Sequence, residues 1–290
     1  MKKLCVVLDE REVEDNPFKP QMWRIVRRYP LTYDTNFYQA RPVDPDEALR
    51  FSYIPGQFAM ISIVGEGEAP FCLSSSPTRP GMLEFCIRNV GTLTGSLAGL
   101  KENQTIGVRG PYGNGFPMEK MEGKDIMIVA GGMGAAPLRS VLLNILDDRD
   151  KFGELTYLHG ARAPGDMLFR EEFLQLKQRD DLRVLMSVDK DDTGKWTEKV
   201  GVVTTLFNDV GPIDVKNTYA LVCGPPVMYK FVIRELLSKN IPEHQILLSL
   251  ERHMKCGMGK CGRCQIHNFY CCQEGPVFNY ADVKWMPEAF

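Results

Sequence analysis

Asp125-Ile126-Met127-Ile128-Val129-Ala130-Gly131-Gly132-Met133-Gly134-Ala135-Ala136-Pro137 is the stretch on which the fold turns. A compact apolar run with no alternation reads as a strand buried on both faces. The glycines then punctuate it, and a helical pattern runs from Ala136 to about Leu146. Such a turn lets main chain approach a phosphate, and the helix end supplies unpaired N–H groups and a positive dipole end. Pro137 costs little in a first turn, where its missing N–H would be unpaired anyway. Gly131, Gly132, Met133, Gly134, Ala135, Ala136 and Pro137 are therefore candidate contacts to a dinucleotide. The turn is not G-x-G-x-x-G, and no acidic residue closes the next strand, so an unliganded corner is the competing reading.

Working outward, the downstream pattern alternates. Strands are expected at Leu155–His159, Leu182–Val188, a run ending at Cys223, and Ile246–Leu250. Helices are expected at Leu168–Lys177, Val203–Phe207 and Val227–Ser238. Alternation of this kind implies βαβ units and a parallel sheet. Arg162, just past the second strand, either meets a 2′-phosphate or is a solvated charge. Upstream, 16–120 is β-rich: 57–64 and 82–90 are strand-like, punctuated by Pro55-Gly56, Pro80-Gly81 and Gly110-Pro111-Tyr112-Gly113. Short strands with such turns predict a small antiparallel barrel.

The 290 residues suit two domains of ordinary size. With 44% hydrophobic and 25% charged residues, the chain reads as globular. A net charge of −2 offers nothing to recruit nucleic acid, and no apolar run reaches the ~20 residues of a membrane span. Met1-Lys2-Lys3 leads into a short apolar run ended by Asp9, which is not a secretory pattern; a cytoplasmic protein is expected.

Five of the nine cysteines fall between Cys256 and Cys272. Local clustering points to a metal rather than a disulfide framework. Cys256-x4-Cys261-x2-Cys264-x7-Cys272 can converge because Gly257, Gly259 and Gly262 allow tight turns. The x4 and x2 gaps match the start of the plant-type [2Fe–2S] pattern. Cys256, Cys261, Cys264 and Cys272 are the expected metal ligands, with Cys272 preferred over its neighbour Cys271. A four-cysteine zinc site and unliganded thiols are the alternatives.

Leu221-Val222-Cys223-Gly224-Pro225-Pro226-Val227-Met228, together with Gly131–Pro137 and a preceding barrel, resembles the ferredoxin–NADP reductase superfamily. The C-terminal cysteine run, ending in Gly275-Pro276-Val277-Phe278, is similar to its iron–sulfur subgroup: the gamma (diaphorase) subunits of hydrogenases, the corresponding subunit of anaerobic sulfite reductase, and dihydroorotate dehydrogenase electron-transfer subunits. The resemblance implies that Gly131–Pro137 and Cys223, Gly224, Pro225 and Met228 border the nicotinamide dinucleotide. It also implies that Phe71, Cys72, Leu73 and Ser74 meet a flavin, with Ile87 and Arg88 beside them and Gly91, Thr92, Leu93 and Thr94 at its diphosphate. The family's Arg-x-Tyr-Ser falls on Ala69-Pro70-Phe71-Cys72, so arginine and serine are both replaced. Arg88 is the candidate to supply the missing charge. By the residues alone, Phe71 is equally a core ring, Cys72 and Cys86 buried fillers, Thr94 a helix cap and Cys223 an inert thiol.

The expected organisation is an arm over 1–15, an FAD-binding barrel over 16–122, an NAD(P)-binding α/β domain over 123–250 and a [2Fe–2S] segment over 251–290. The resemblance implies an NAD(P)H-dependent oxidoreductase subunit, with FAD, a cluster and NAD(P)H, working with redox partners in a multisubunit complex. No dedicated general acid or base is expected, since the cofactors carry the chemistry. A zinc-stapled nucleotide-sensing module without redox activity is the rival.

Overall fold

The computed structural model describes residues 16–46 and 51–290; the expected arm over 1–15 lies outside the described residues. Six strands form an antiparallel sheet: β1 (Gln21–Pro30), β2 (Thr35–Pro42), β3 (Phe58–Ile63), β4 (Gly67–Cys72), β5 (Leu83–Arg88) and β6 (Thr105–Tyr112). Their order is β4-β3-β6-β1-β2-β5. Alternation puts one face inward, so Trp23, Ile25, Tyr38, Ile61 and Phe85 share a core. The sheet curls on itself: just beyond β4, Ser74 N–H donates to Glu84 C=O of β5 at 2.8 Å. Helix α1 (Thr92–Gly99) buries Leu93 and Leu97 in the same core.

A single turn, α2 (Met118–Met121), leads to the second sheet. This contains β7 (Asp125–Gly131), β8 (Leu155–Ala161), β9 (Arg183–Val188), β10 (Lys199–Val200), β11 (Thr218–Cys223), β12 (Ile246–Ser249) and β15 (Val277–Asn279), in the order β10-β9-β8-β7-β11-β12-β15. All pairings are parallel except β15 on β12. The intervening hairpin β13 (Gln265–Ile266) and β14 (Phe269–Tyr270) stands apart from it. Helices α3 (Ala135–Asp147), α4 (Arg170–Leu176) and α5 (Pro226–Ser238) provide crossovers. The helix expected near Val203–Phe207 is a 3-10 helix over Val203–Asn208.

The chain runs outward from β7 to β10 and then returns to β11 on β7's other side. The loops after β7 and β11 therefore diverge and leave a crevice at the strands' C-terminal ends, where open α/β sheets bind ligands. Helix α3 is buried along most of its length and joins the sheets, since Phe37 and Cys86 of the first share its core cluster.

Candidate functional site

The crevice is a cavity of about 680 Å³. It brings together Arg88, Gly131–Gly134, Arg162, Gly224, Pro225 and Met228. The turn after β7 and the turn after β11 pack closely enough that a Cβ on Gly134 would lie 2.1 Å from the Cys223 carbonyl oxygen. A Cβ on Gly132 would meet nothing within 4 Å, so that main chain is open to a ligand. Cys223 ends β11 fully buried, its thiol pushed up by burial. Tyr229 donates its hydroxyl to Ser249 C=O, and its oxygen lies 3.9 Å from the Cys223 sulfur.

Phe71, Cys72 and Gly91–Thr94 lie outside this cavity's lining. Phe71 and Cys72 end β4 half-buried, and burial raises the Cys72 thiol to about 12. Leu73, Ser74, Ile87 and Leu93 are buried. The Thr94 hydroxyl accepts N–H bonds from Val90 and Gly91 at 2.9 and 2.8 Å and so serves as a helix cap. Arg88 is not a free charge: Asp34 Oδ2 accepts from its Nε at 2.6 Å. Opposing the effect of burial, that bond and those from Thr35 and Thr32 hold Asp34 below the usual carboxylate range. The β1–β2 turn, Thr32 to Thr35, thus forms a wall of the cavity that sequence reasoning missed, having no glycine to announce it.

Asp166 stands close to Arg162 in the sequence, and two further carboxylates, Asp189 and Glu251, were missed. Asp166 and Asp189 flank Arg162 in the lining. Burial raises Asp189 despite the opposing pull of Arg162. Glu251 is exposed to the cavity itself, yet enough protein surrounds it for desolvation to raise its carboxyl.

The cysteine run forms a loop against the first sheet. Its thiols fall into pairs, Cys256 with Cys261 and Cys264 with Cys272. Among the described residues no three His, Cys, Asp or Glu side chains group to hold one metal ion. Met258 and Lys260 aim N–H groups at the Cys256 sulfur at 3.5 and 3.3 Å, and Gly259 N–H reaches the Cys272 sulfur at 3.0 Å. The N–H groups of Met258, Cys261 and Lys260 overcome burial and bring Cys256 down to about 7. Gly259 sits at φ +73°, and a Cβ there would strike Gln273. Cys271 turns the other way, its thiol directed at Leu250 C=O at 3.7 Å, and burial raises it to about 12. A dinuclear iron centre takes two thiolates per iron, and N–H groups stabilise charge on sulfur. Two thiol pairs with N–H donors fit that group better than four thiols around one zinc.

Arg109, buried on β6, ties this loop down. It donates to both Glu68 oxygens, at 2.8 and 2.6 Å, to Tyr112 Oη at 2.7 Å and to the Cys256 carbonyl at 3.2 Å.

Residues 128–234 match the oxidoreductase NAD-binding domain family. Residues 251–284 match the iron–sulfur cluster binding domain of dihydroorotate dehydrogenase B. The chain is 41% identical over 283 residues to the sulfhydrogenase 2 gamma subunit of Pyrococcus furiosus, covering 92% of this chain and 97% of the relative. The sulfhydrogenase 1 gamma subunit of the same organism is 38% identical over 280 residues, covering 94% and 95%. A probable dihydroorotate dehydrogenase B electron transfer subunit of Methanocaldococcus jannaschii is 34% identical over 241 residues, covering 82% and 84%. Among solved structures, a chain of an NADH-dependent reduced ferredoxin-NADP oxidoreductase superposes with a TM-score of 0.72 at 22% identity, covering 92% of this chain and 93% of that one. No described helix is long and apolar enough to cross a membrane.

Proposed function

The chain belongs to the family of sulfhydrogenase gamma subunits and dihydroorotate dehydrogenase B electron-transfer subunits, and from that premise we propose that it passes electrons between NAD(P)H, FAD and a [2Fe–2S] cluster, to or from a partner in a multisubunit complex. It is an NAD(P)H-dependent oxidoreductase subunit. The observation carrying the reading is the run of paired thiols with main-chain N–H groups aimed at them, in a segment whose last strand completes the nucleotide-type sheet. When bound, these cofactors supply hydride transfer and its conversion to single electrons.

The protein's own residues bind and orient. Gly131–Pro137 and Gly224–Met228 would hold the dinucleotide, with the α3 N-terminus facing its phosphates. Phe71–Ser74, Ile87, Arg88 and Gly91–Thr94 would hold the flavin, the last four through main chain, since the Thr94 hydroxyl is already engaged. Cys256, Cys261, Cys264 and Cys272 would hold the cluster, and Arg109 keeps their loop against β6. The protonated thiols of half-buried Cys72 and buried Cys223 exclude water rather than move protons. We place the units at 16–122, 123–250 and 251–290, with 1–15 as an arm, and the protein in the cytoplasm.

The nucleotide is NADH in this reading. Asp166 and Asp189 outnumber Arg162 at the cavity wall, so a 2′-phosphate would meet net negative charge, whereas a strand-end carboxylate suits a ribose hydroxyl. Mixing the full chain with NADH without air tests the function. Loss of flavin absorbance followed by a reduced-cluster paramagnetic signal is expected. A chain whose cluster stays oxidised refutes it.

A further inference from the structure

Of the four candidate ligands, Cys261 is exposed while Cys264 and Cys272 are buried. Any electron leaving the loop has its shortest way to solvent there. The run of sequence that carries it is chemically one-sided. From Arg252 to Gln273 the sequence has four cations, Arg252, Lys255, Lys260 and Arg263, and no carboxylate, in a chain whose net charge is −2. Lys255, Lys260 and Arg263 are exposed. None of the three forms an ion pair among the described residues.

An aromatic ring borders this rim. Phe18 is 49% exposed, yet it is fixed in place. Arg109 lies over its ring at 5.4 Å and Lys260 Nζ at 5.3 Å. A solvent-facing ring beside cations that form no ion pair among the described residues has the composition of a protein interface: an aromatic anchor within a polar rim.

We propose that the rim formed by Phe18, Lys255, Lys260, Cys261 and Arg263 is the docking face for an acidic one-electron redox protein. This rests on the reading of the cysteine loop as a cluster site. Exposed cations that form no ion pair among the described residues are already solvated, so a partner's carboxylates gain attraction without first breaking such pairs. They also raise the encounter rate at low salt. The chain's small overall negative charge would repel an acidic partner elsewhere, so the rim orients it with its redox centre toward Cys261.

The test uses the full chain loaded with flavin and cluster, NADH as donor, and two acceptor probes: a strongly acidic two-iron ferredoxin and the basic protein cytochrome c. Salt is raised from about 0.01 M to about 1 M, over which the screening length falls from about 30 Å to about 3 Å. Ferredoxin reduction should slow about tenfold or more, while cytochrome c reduction should not slow. Lys255→Glu with Arg263→Glu should abolish the salt dependence for ferredoxin and lower its kcat/KM about tenfold. Lys216→Glu, exposed and remote in sequence from this rim, should change neither. Ferredoxin reduction insensitive to salt, or slowed equally by Lys216→Glu, would overturn the proposal. If the loop holds no iron–sulfur cluster, iron and sulfide analysis of the same preparation finds none and the underlying reading falls with it. A cluster reduced by NADH without a charge effect defeats the docking proposal alone.

Discussion

Replacing Arg139 with methionine should destabilise the protein by about 3–5 kcal/mol, the typical cost of stranding a buried charge. Arg139 lies on α3, where it is 9% exposed. Its Nη1 donates to Glu84 Oε2 at 2.6 Å and to Ser74 C=O at 2.9 Å, both from the first sheet. Its Nε donates to Glu172 of α4 at 2.8 Å. The guanidinium also stacks 4.7 Å from the Phe169 ring centroid. One side chain thus joins the first sheet to two helices of the second, and its Ser74 contact lies just beyond Cys72. In Arg139→Met, Glu84 keeps its bond from Gln39 at 2.8 Å but loses its only ion pair among the described residues. Glu172 is more exposed and should contribute less. At roughly 2–4 °C per kcal/mol, Tm should fall by roughly 6–20 °C. Because the same contact sets how the sheets face each other, kcat/KM for NADH should also fall. The triple variant Arg139→Met, Glu84→Gln, Glu172→Gln removes the stranded charges and should recover at least half the lost stability. Calorimetry with intact flavin checks this. A single variant that loses under about 1 kcal/mol, or a triple variant less stable than the single, refutes the argument.

Cys272→Ser should lower the iron content and change the cluster's spectrum, while Cys271→Ser should keep both; the reverse pattern would mean that the thiol aimed at Leu250 is the ligand. Asp189→Ser should raise the NADPH-to-NADH ratio of kcat/KM about tenfold, equivalent to ~1.4 kcal/mol, and an unchanged ratio would remove Asp189 from nucleotide choice. His159 is fully buried, and burial alone lowers its pKa to about 3. Below pH ~6.5 the unfolded chain takes up a proton that the folded chain excludes, so stability falls with pH by up to ~1.4 kcal/mol per unit. His159→Leu should therefore show a shallower acid dependence between pH ~6.5 and ~4.5; parallel curves would show the ring protonates in the fold.

What the sequence made legible was local. The change of period at Asp125–Pro137 and the spacing of Cys256, Cys261 and Cys264 are short-range patterns with direct physical causes. In the fold, Gly131–Gly134 of that turn line the crevice, and the cysteines stand in one loop. The strands β1 and β2 escaped notice because their connection has no glycine, β1 interleaves Trp23 and Ile25 with arginines, and β2 sets Phe37 and Tyr38 side by side instead of alternating. Arg88 reads as a spare charge in the sequence because Asp34, 54 positions away, leaves no local sign of pairing. Arg109 and the Cys256 carbonyl, 147 positions apart, are hidden for the same reason. The choice between Cys271 and Cys272 needed direction rather than spacing, and only the folded loop supplies direction. Residues 277–279 fall within the expected cluster segment, yet they also form the antiparallel edge of the second sheet, which couples the loop to the crevice.

The most direct measurement is iron, acid-labile sulfide and flavin analysis of the full chain purified without air, followed by reductive titration with NADH. About two iron, two sulfide and one flavin per chain are expected, with both chromophores bleached by NADH. One zinc per chain, no flavin and no bleaching would contradict it and leave a nucleotide-binding module stapled by metal.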